Sequence, residues 1–276
     1  MSSNAKSVHE RCVHCLRLTE TPQADHVFPD SWYPDSTPAT VQRWTVPSCP
    51  ECNSKLGQLE KDLLIRLGLC IDPKSEAASG LASRVFRSLG LDVDGLPEKE
   101  QSIRDKLRAK LRSEFIPYSE IAGQPGKIPG LGPPDESAEW VFVVPWAGLS
   151  IIAEKIARGC EYRLARRLVE PPYAVRTFVT ESGVVPEPFA SHVKLVDFGP
   201  GCKIRRVFVS EDPNVVLYWI SIWGGLCFRV HIDLEVELLK KEPMLRACEG
   251  IVPQENRGMQ IPTYLRNVNQ QRPDGA

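Results

Sequence analysis

Apolar residues along this chain follow two rhythms, separated by a Pro/Gly-rich break. Before the break the spacing is helical. Leu56, Leu59, Leu63, Leu64 and Leu67 give one apolar face to a helix starting near Pro50. Ser48 and Glu51 form a Ser-x-x-Glu capping box for it, with Pro50 in its first turn. Leu81, Val85, Phe86 and Leu89 recur at helical spacing, and a further helix is expected from about Glu98 to Phe115, with Ile103, Leu107 and Leu111 on one face. The remainder of that helix is basic: Lys99, Arg104, Lys106, Arg108, Lys110 and Arg112. From Ile116 to Glu139, Pro117, Pro125, Pro129, Pro133, Pro134 and four glycines oppose regular structure, so a loop or linker is expected there.

Beyond the break the rhythm changes. Trp140–Val144 reads as a strand and Ser150–Val169 as a helix with a kink at Gly159. Strands are expected at Tyr173–Thr180, Lys203–Ser210, Val215–Ile222 and Leu226–Val236, separated by Gly199-Pro200-Gly201, Asp212-Pro213-Asn214 and Gly224-Gly225. This order predicts an antiparallel sheet with a packed helix, and an α+β fold overall. Residues from Pro253 onward are polar and are expected to fray. The division that follows is a module at 1–75, a helical connector and linker at 76–135, an α+β domain at 136–252, and a flexible tail at 253–276.

Composition narrows the function classes. At 276 residues, 42% hydrophobic and 25% charged, the chain can bury a core. Its 24 prolines exceed the usual proportion of about 5%. A net charge of −1 excludes a globally basic nucleic-acid binder but not a local basic surface. The polar Met1–Glu10 carries no signal-peptide core, and the apolar run Val215–Val230 is interrupted by Gly224-Gly225, so a soluble, cytoplasmic protein with no membrane association is expected. Nine cysteines, an odd number in a chain of this size, point to reduced thiols and metal binding.

Candidate chemistry is concentrated near the N-terminus. Cys12-x2-Cys15 and Cys49-x2-Cys52 offer four thiolates, the ligand set of a tetrahedral structural zinc site. Four unrelated buried cysteines, or a redox Cys-x-x-Cys, are the alternatives. The 33 residues between the pairs are too many for a simple ribbon, so folded structure must lie between them. That segment holds Asp25-His26-Val27-Phe28-Pro29, and Asn53 follows the second pair directly. Cys70, Cys160, Cys202, Cys227 and Cys248 have no ligand spacing and are expected as small buried hydrophobes. His14 is expected to point outward from its knuckle.

Cys12-Val-His-Cys15, Asp25-His26-Val-Phe-Pro29 and Cys49-Pro-Glu-Cys52-Asn53-Ser-Lys55 together resemble the zinc-stapled form of the HNH (His-Asn-His) nuclease family, over about 60 residues from Glu10 to Arg66. The resemblance implies a ββα-metal finger: a hairpin bearing Asp25 and His26 against a helix bearing Asn53. It implies His26 as general base, Asp25 and Asn53 as ligands of a catalytic Mg²⁺ or Mn²⁺, structural Zn²⁺ on Cys12, Cys15, Cys49 and Cys52, and Lys55 near a phosphate. The family's middle asparagine is absent, since Trp44 and Thr45 occupy that stretch. The chemistry suits the residues: a neutral imidazole with a pKa near ~6.5 serves as a base, oxygen ligands suit Mg²⁺ and thiolates suit Zn²⁺.

The expected function is therefore a metal-dependent endonuclease acting on DNA, or else RNA. Lys155, Arg158, Arg163, Arg166 and Arg167, with Lys203, Arg205 and Arg206, are either a phosphate-binding face or solvated surface. The rival expectations are a non-catalytic zinc-finger module for nucleic acid or protein, and the nuclease effector of a larger defence or mobile-element system with residues 136–276 docking a partner protein.

Overall fold

The structure, a computed structural model, describes residues 10–90, 97–121, 132, 140–180, 183–209, 214–235 and the backbone of 259–262. The expected linker lies mostly outside the described residues, as does Cys248. Two short hairpins open the chain. Strands β1 (Glu10–Arg11) and β2 (Leu18–Thr19) flank the first cysteine pair; β3 (Gln23–His26) pairs antiparallel with β4 (Thr45–Ser48), with His26 opposite Thr45 and Gln23 opposite Ser48. Helix α1 (Pro50–Gly68) follows β4 directly.

The start of α1 differs from the expected capping box. Cys49 is the N-cap, and its Sγ accepts the backbone N–H of Cys52 at 3.4 Å. Ser48 is wholly buried with its Oγ toward Cys12, and Glu51 turns outward to Arg17 and Lys55. A thiolate at the cap satisfies the same orphan N–H that a serine would. The leucine face of α1 buries Leu56, Leu63, Leu64 and Leu67. Gly68 lets α2 (Leu81–Leu89) approach, since a Cβ there would lie 2.5 Å from Val85 Cγ2.

Helix α3 (Glu98–Ser113) stops two residues before the expected end, because Phe115–Pro117 is drawn into β5 beside β6 (Trp140–Val144); a single turn, α4 (Tyr118–Ile121), follows β5. Helix α5 (Trp146–Ala165) is displaced toward the N-terminus from its expected span. Pro145 caps it, and Arg166 ends it in the left-handed region. It runs through Gly159 as one helix. That glycine serves close packing instead: a Cβ would meet Val27 Cγ2 at 2.8 Å.

The five-stranded sheet is antiparallel throughout, in the order β7 (Tyr173–Thr180), β11 (Leu226–Leu234), β10 (Val216–Ile222), β9 (Cys202–Phe208), β8 (Val193–Asp197). The short turn α6 (Glu187–Ala190) precedes β8. Strand β8 is an edge strand that the hydrophobic pattern did not announce; Lys194, Leu195 and Asp197 are exposed along it. Charges on such an edge oppose further pairing. Within the expected tail, Met259–Pro262 forms β12 and pairs with β6. Among the described residues no helix is long and apolar enough to cross a membrane.

The apolar core crosses the boundaries drawn at 75 and 136. One cluster contains Val27, Phe28 and Trp32, Leu63 and Leu67 of α1, Leu81 and Val85 of α2, Phe142 of β6, Ile152 and Ile156 of α5, and Tyr218 and Ile220 of β10. Trp32 lies against Trp223 with ring centroids 5.0 Å apart, and Trp223 Nε1 donates to the Trp32 carbonyl at 3.0 Å. Phe28 stacks on Phe198. The residues between the cysteine pairs carry large aromatics that a unit of about 60 residues has too little interior to bury.

Candidate metal centre and its surroundings

The first knuckle is shaped by its backbone. Leu16 adopts φ +66°, its N–H donates to the Cys12 carbonyl, and the Cys12 N–H donates to the Arg17 carbonyl, both at 2.9 Å. This turn, with the cap of α1, brings Cys12, Cys15, Cys49 and Cys52 together, all four sulfurs lying within 4.8 Å of one another. Cys15 and Cys49 are 3.7 Å apart. Four thiolates about 2.3 Å from a tetrahedral centre are about 3.8 Å apart, so the cluster has the dimensions of a structural zinc site.

Its electrostatics point the same way. Burial raises the Cys15 thiol, but hydrogen bonds from the Arg17 side chain and backbone outweigh it and bring the thiol to about 6. Arg17 Nε donates to Cys15 Sγ at 3.3 Å. Burial and the surrounding sulfurs push Cys52 up. Four thiolates at this spacing repel one another, and a divalent cation among them removes the conflict. Lys55 and Arg17 together hold the exposed Glu51 carboxyl at about 2.

The Asp25 carboxylate lies inside. Successive strand residues point to opposite faces, and Asp25, 6% exposed, faces the helices. Its Oδ2 is 2.7 Å from His14 Nε2 and its Oδ1 accepts from Lys155 Nζ at 2.8 Å. Lys155, 2% exposed, also donates to Glu60 of α1. Burial alone would raise Asp25, but the His14 hydrogen bond and the Lys155 charge hold it below the usual carboxylate range. Burial pushes Glu60 up, and Lys155 offsets this only in part. His14 thus points inward, with its imidazole on a carboxylate, and not outward as expected.

The other expected site residues lie elsewhere. Asn53 is half-buried at the start of α1, and its Nδ2 donates to Gln23 Oε1 at 2.8 Å. The His26 side chain, 37% exposed, has its Nε2 3.9 Å from Asp30 Oδ1, and that oxygen accepts from Arg43 at 2.5 Å. Gln23 and Asp25 share the inner face of β3, with Asn53 bonded to Gln23, while strand alternation turns His26 to the other face. Among the described residues His26, Asp25 and Asn53 share no common partner. Lys55 is exposed and paired with Glu51 at 2.8 Å.

The expected phosphate-binding face on α5 is largely inward. Lys155 is buried in the Asp25–Glu60 pair, so its ammonium does not reach solvent. Arg158 is held by Glu154 at 2.8 Å and by the Val169 carbonyl at 2.6 Å. Arg167 and Arg206 converge on the buried Glu161, which also accepts from Tyr218 OH at 2.5 Å, and Arg205 donates to the Gly183 carbonyl. Arg166 is exposed. Cys70, Cys160, Cys202 and Cys227 are buried, and burial raises the thiols of all four.

Sequence reasoning missed Glu60, the inward His14 and the role of Lys155. One signal was present: Lys155 sits among Ile152, Ile156 and Gly159 on the apolar stripe of α5, where a lone lysine marks a buried ion pair. Comparison with protein-family models, curated proteins and solved structures found no match for this chain.

Proposed function

We propose that the hairpin–helix unit of residues 10–68 is a phosphodiester-cleaving module of the HNH type, acting on DNA or RNA. The observation that supports it is the chain order: a strand bearing Asp25 and His26, an antiparallel partner running straight into a helix bearing Asn53, and a four-sulfur cluster clamping both ends. In this reading a water oxygen bonds to phosphorus as His26 takes its proton, the bond to the leaving sugar oxygen breaks, and that oxygen takes up a proton from solvent water. Its half-exposed imidazole suits that task. Such modules draw positive charge for the phosphate from a divalent ion. Asp25 and Asn53 as arranged do not fit one, because both Asp25 oxygens are engaged by Lys155 and His14, so no step is assigned to an ion.

That same occupancy supports a second reading, a non-catalytic zinc-stapled binding module. The test is incubation of plasmid DNA and of RNA with the zinc-loaded full chain in Mg²⁺ or Mn²⁺. The nuclease reading expects cleavage that falls about 10²-fold or more in His26→Ala. Equal cleavage by both proteins, or none by either, overturns it. Mn²⁺ binding that Asp25→Asn abolishes would overturn the non-catalytic reading.

A further inference from the structure

Helix α3 carries a charge that the chain as a whole does not. Lys99, Arg104, Lys106, Arg108, Lys110 and Arg112 stand against Glu98, Glu100 and Asp105, six positive and three negative, a net of +3 in a chain of net −1. The six cations divide into two groups. Arg104 and Arg108 face inward: they donate to the Arg87 carbonyl at 3.2 Å and the Leu89 carbonyl at 2.8 Å at the end of α2, and they pair with Glu100 and Asp105. These two arginines fasten α3 to α2 and use two of its three carboxylates. Lys99, Lys106, Lys110 and Arg112 are exposed, and none has an ion-pair partner among the described residues.

The three lysines are in line. At 3.6 residues per turn, positions 99, 106 and 110 fall within an arc of about 40°. Ser102, Ala109 and Ser113 adjoin them, and no acidic residue lies on that strip. At 1.5 Å per residue, Lys99 to Lys110 extends about 16 Å, the axial length of roughly five phosphates of one DNA strand. Small neighbours allow a backbone to approach closely, and lysine ammoniums serve as point charges for phosphate.

We propose that this strip of α3 is a docking surface for the phosphate backbone of duplex DNA. The surface is linear, basic and free of carboxylates, which matches a row of phosphates. Ile103, 59% exposed, is the single large apolar side chain on it, too little for insertion into a lipid surface. The inference rests on the nucleic-acid reading of the hairpin–helix unit, and it supplies the grip that a small cleavage module lacks.

The test measures binding, not cleavage. Zinc-loaded full chain is titrated into a labelled 20-base-pair duplex without Mg²⁺, by fluorescence anisotropy, over a range of salt concentrations. A Lys99→Gln/Lys106→Gln/Lys110→Gln variant is compared with Lys61→Gln/Lys74→Gln/Lys194→Gln, which removes three exposed lysines elsewhere. The strip variant is expected to bind about tenfold more weakly and to lose about 2.7 from the slope of log affinity against log salt, 0.9 per phosphate contact. The control should keep most of its affinity. Equal losses in both variants, an unchanged strip variant, or no duplex binding by the wild type would each overturn the proposal. So would a loss seen only with single-stranded RNA, an acidic protein or anionic vesicles. Binding that persists in a protein unable to cleave sinks the enzyme reading alone.

Discussion

Replacing Lys155 by methionine removes the cation that bridges Asp25 and Glu60 while keeping the apolar stem. The ammonium lies 2.8 Å from Asp25 Oδ1 and also contacts Glu60, and the lysine side chain is 1% exposed. At 2.8 Å and an effective dielectric of about 20, one such pair attracts by about 6 kcal/mol before desolvation is subtracted. Desolvation cancels much of this, but it cancels nothing in the variant, where two carboxylates keep their burial and lose the ammonium between them, Asp25 retaining His14 alone. Breaking a buried pair from one side costs about 3–5 kcal/mol. That is a large share of a total stability of about 5–15 kcal/mol, and at about 2–4 °C per kcal/mol it lowers Tm by roughly 6–20 °C.

The pH dependence gives this prediction its sign. In the wild type, Asp25 is held below its ordinary value, so its contribution is present above about 3.9 and fades as the medium is acidified. In Lys155→Met, burial acts on Glu60 without the charge that opposed it, and on Asp25 with the His14 hydrogen bond left to oppose it, so both carboxyls rise and Glu60 moves further above its unfolded value. At Glu60 the folded variant then holds more protons than the unfolded chain, so the stability it loses relative to the wild type grows as pH rises. Urea unfolding at pH 4.5 and at pH 7 should show a stability gap between wild type and variant that widens with pH. A gap under about 1 kcal/mol at pH 7, or one independent of pH, would refute the buried-pair account.

Two further outcomes follow from close contacts. Cys49→Ser should lose the zinc, expected at one per chain in the wild type and assayed by metal analysis, and unfold the N-terminal hairpins, since structural zinc supplies about 10–16 kcal/mol of apparent binding energy in small modules; retained zinc and an unchanged melting curve would contradict the site. Gly159→Ala places a methyl 2.8 Å and 2.9 Å from the two Cγ atoms of Val27, so overpacking of about 1–3 kcal/mol should outweigh a helix-propensity gain of about 1 kcal/mol. Adding Val27→Ala should recover part of the loss, and strict additivity of the two changes would argue against the contact.

What could be read from the sequence was local. Strands Trp140–Val144 and Tyr173–Thr180 match their expected bounds to the residue, because β-branched and aromatic runs end at turn residues. The four-cysteine cluster was equally legible, since two matched pairs need only one fold-back to converge. The capping residue of α1 was misread because Ser48 has the right side chain at the wrong turn, one residue before the backbone leaves the extended region. Strand β8 was missed because its alternation is masked by exposed Leu195 on an edge. Asp25 with Lys155 was beyond reach: the two are separated by 130 residues, and no local pattern specifies such a partner.

The last of these misses has a cause that bears on how the molecule works. Asp25, Val27, Phe28, Trp32 and Pro34 all complete their surroundings with residues from beyond position 140: Lys155, Gly159, Phe198, Trp223 and Gly201. The segment between the cysteine pairs is therefore built as much by α5 and the five-stranded sheet as by the cluster that closes it. A sulfur-clamped unit cut out at residue 75 would keep its four ligands and expose the faces of Phe28 and Trp32 that the sheet covers. The zinc site fixes where the hairpin begins and ends, and the C-terminal half fixes how its inner face is filled. Whatever shifts α5 along its axis, a partner on the sheet included, moves the ammonium that Lys155 sets against the Asp25 carboxylate. Control of that carboxylate is thus shared between His14 of the cysteine knuckle and Lys155 of the half of the chain that carries no motif.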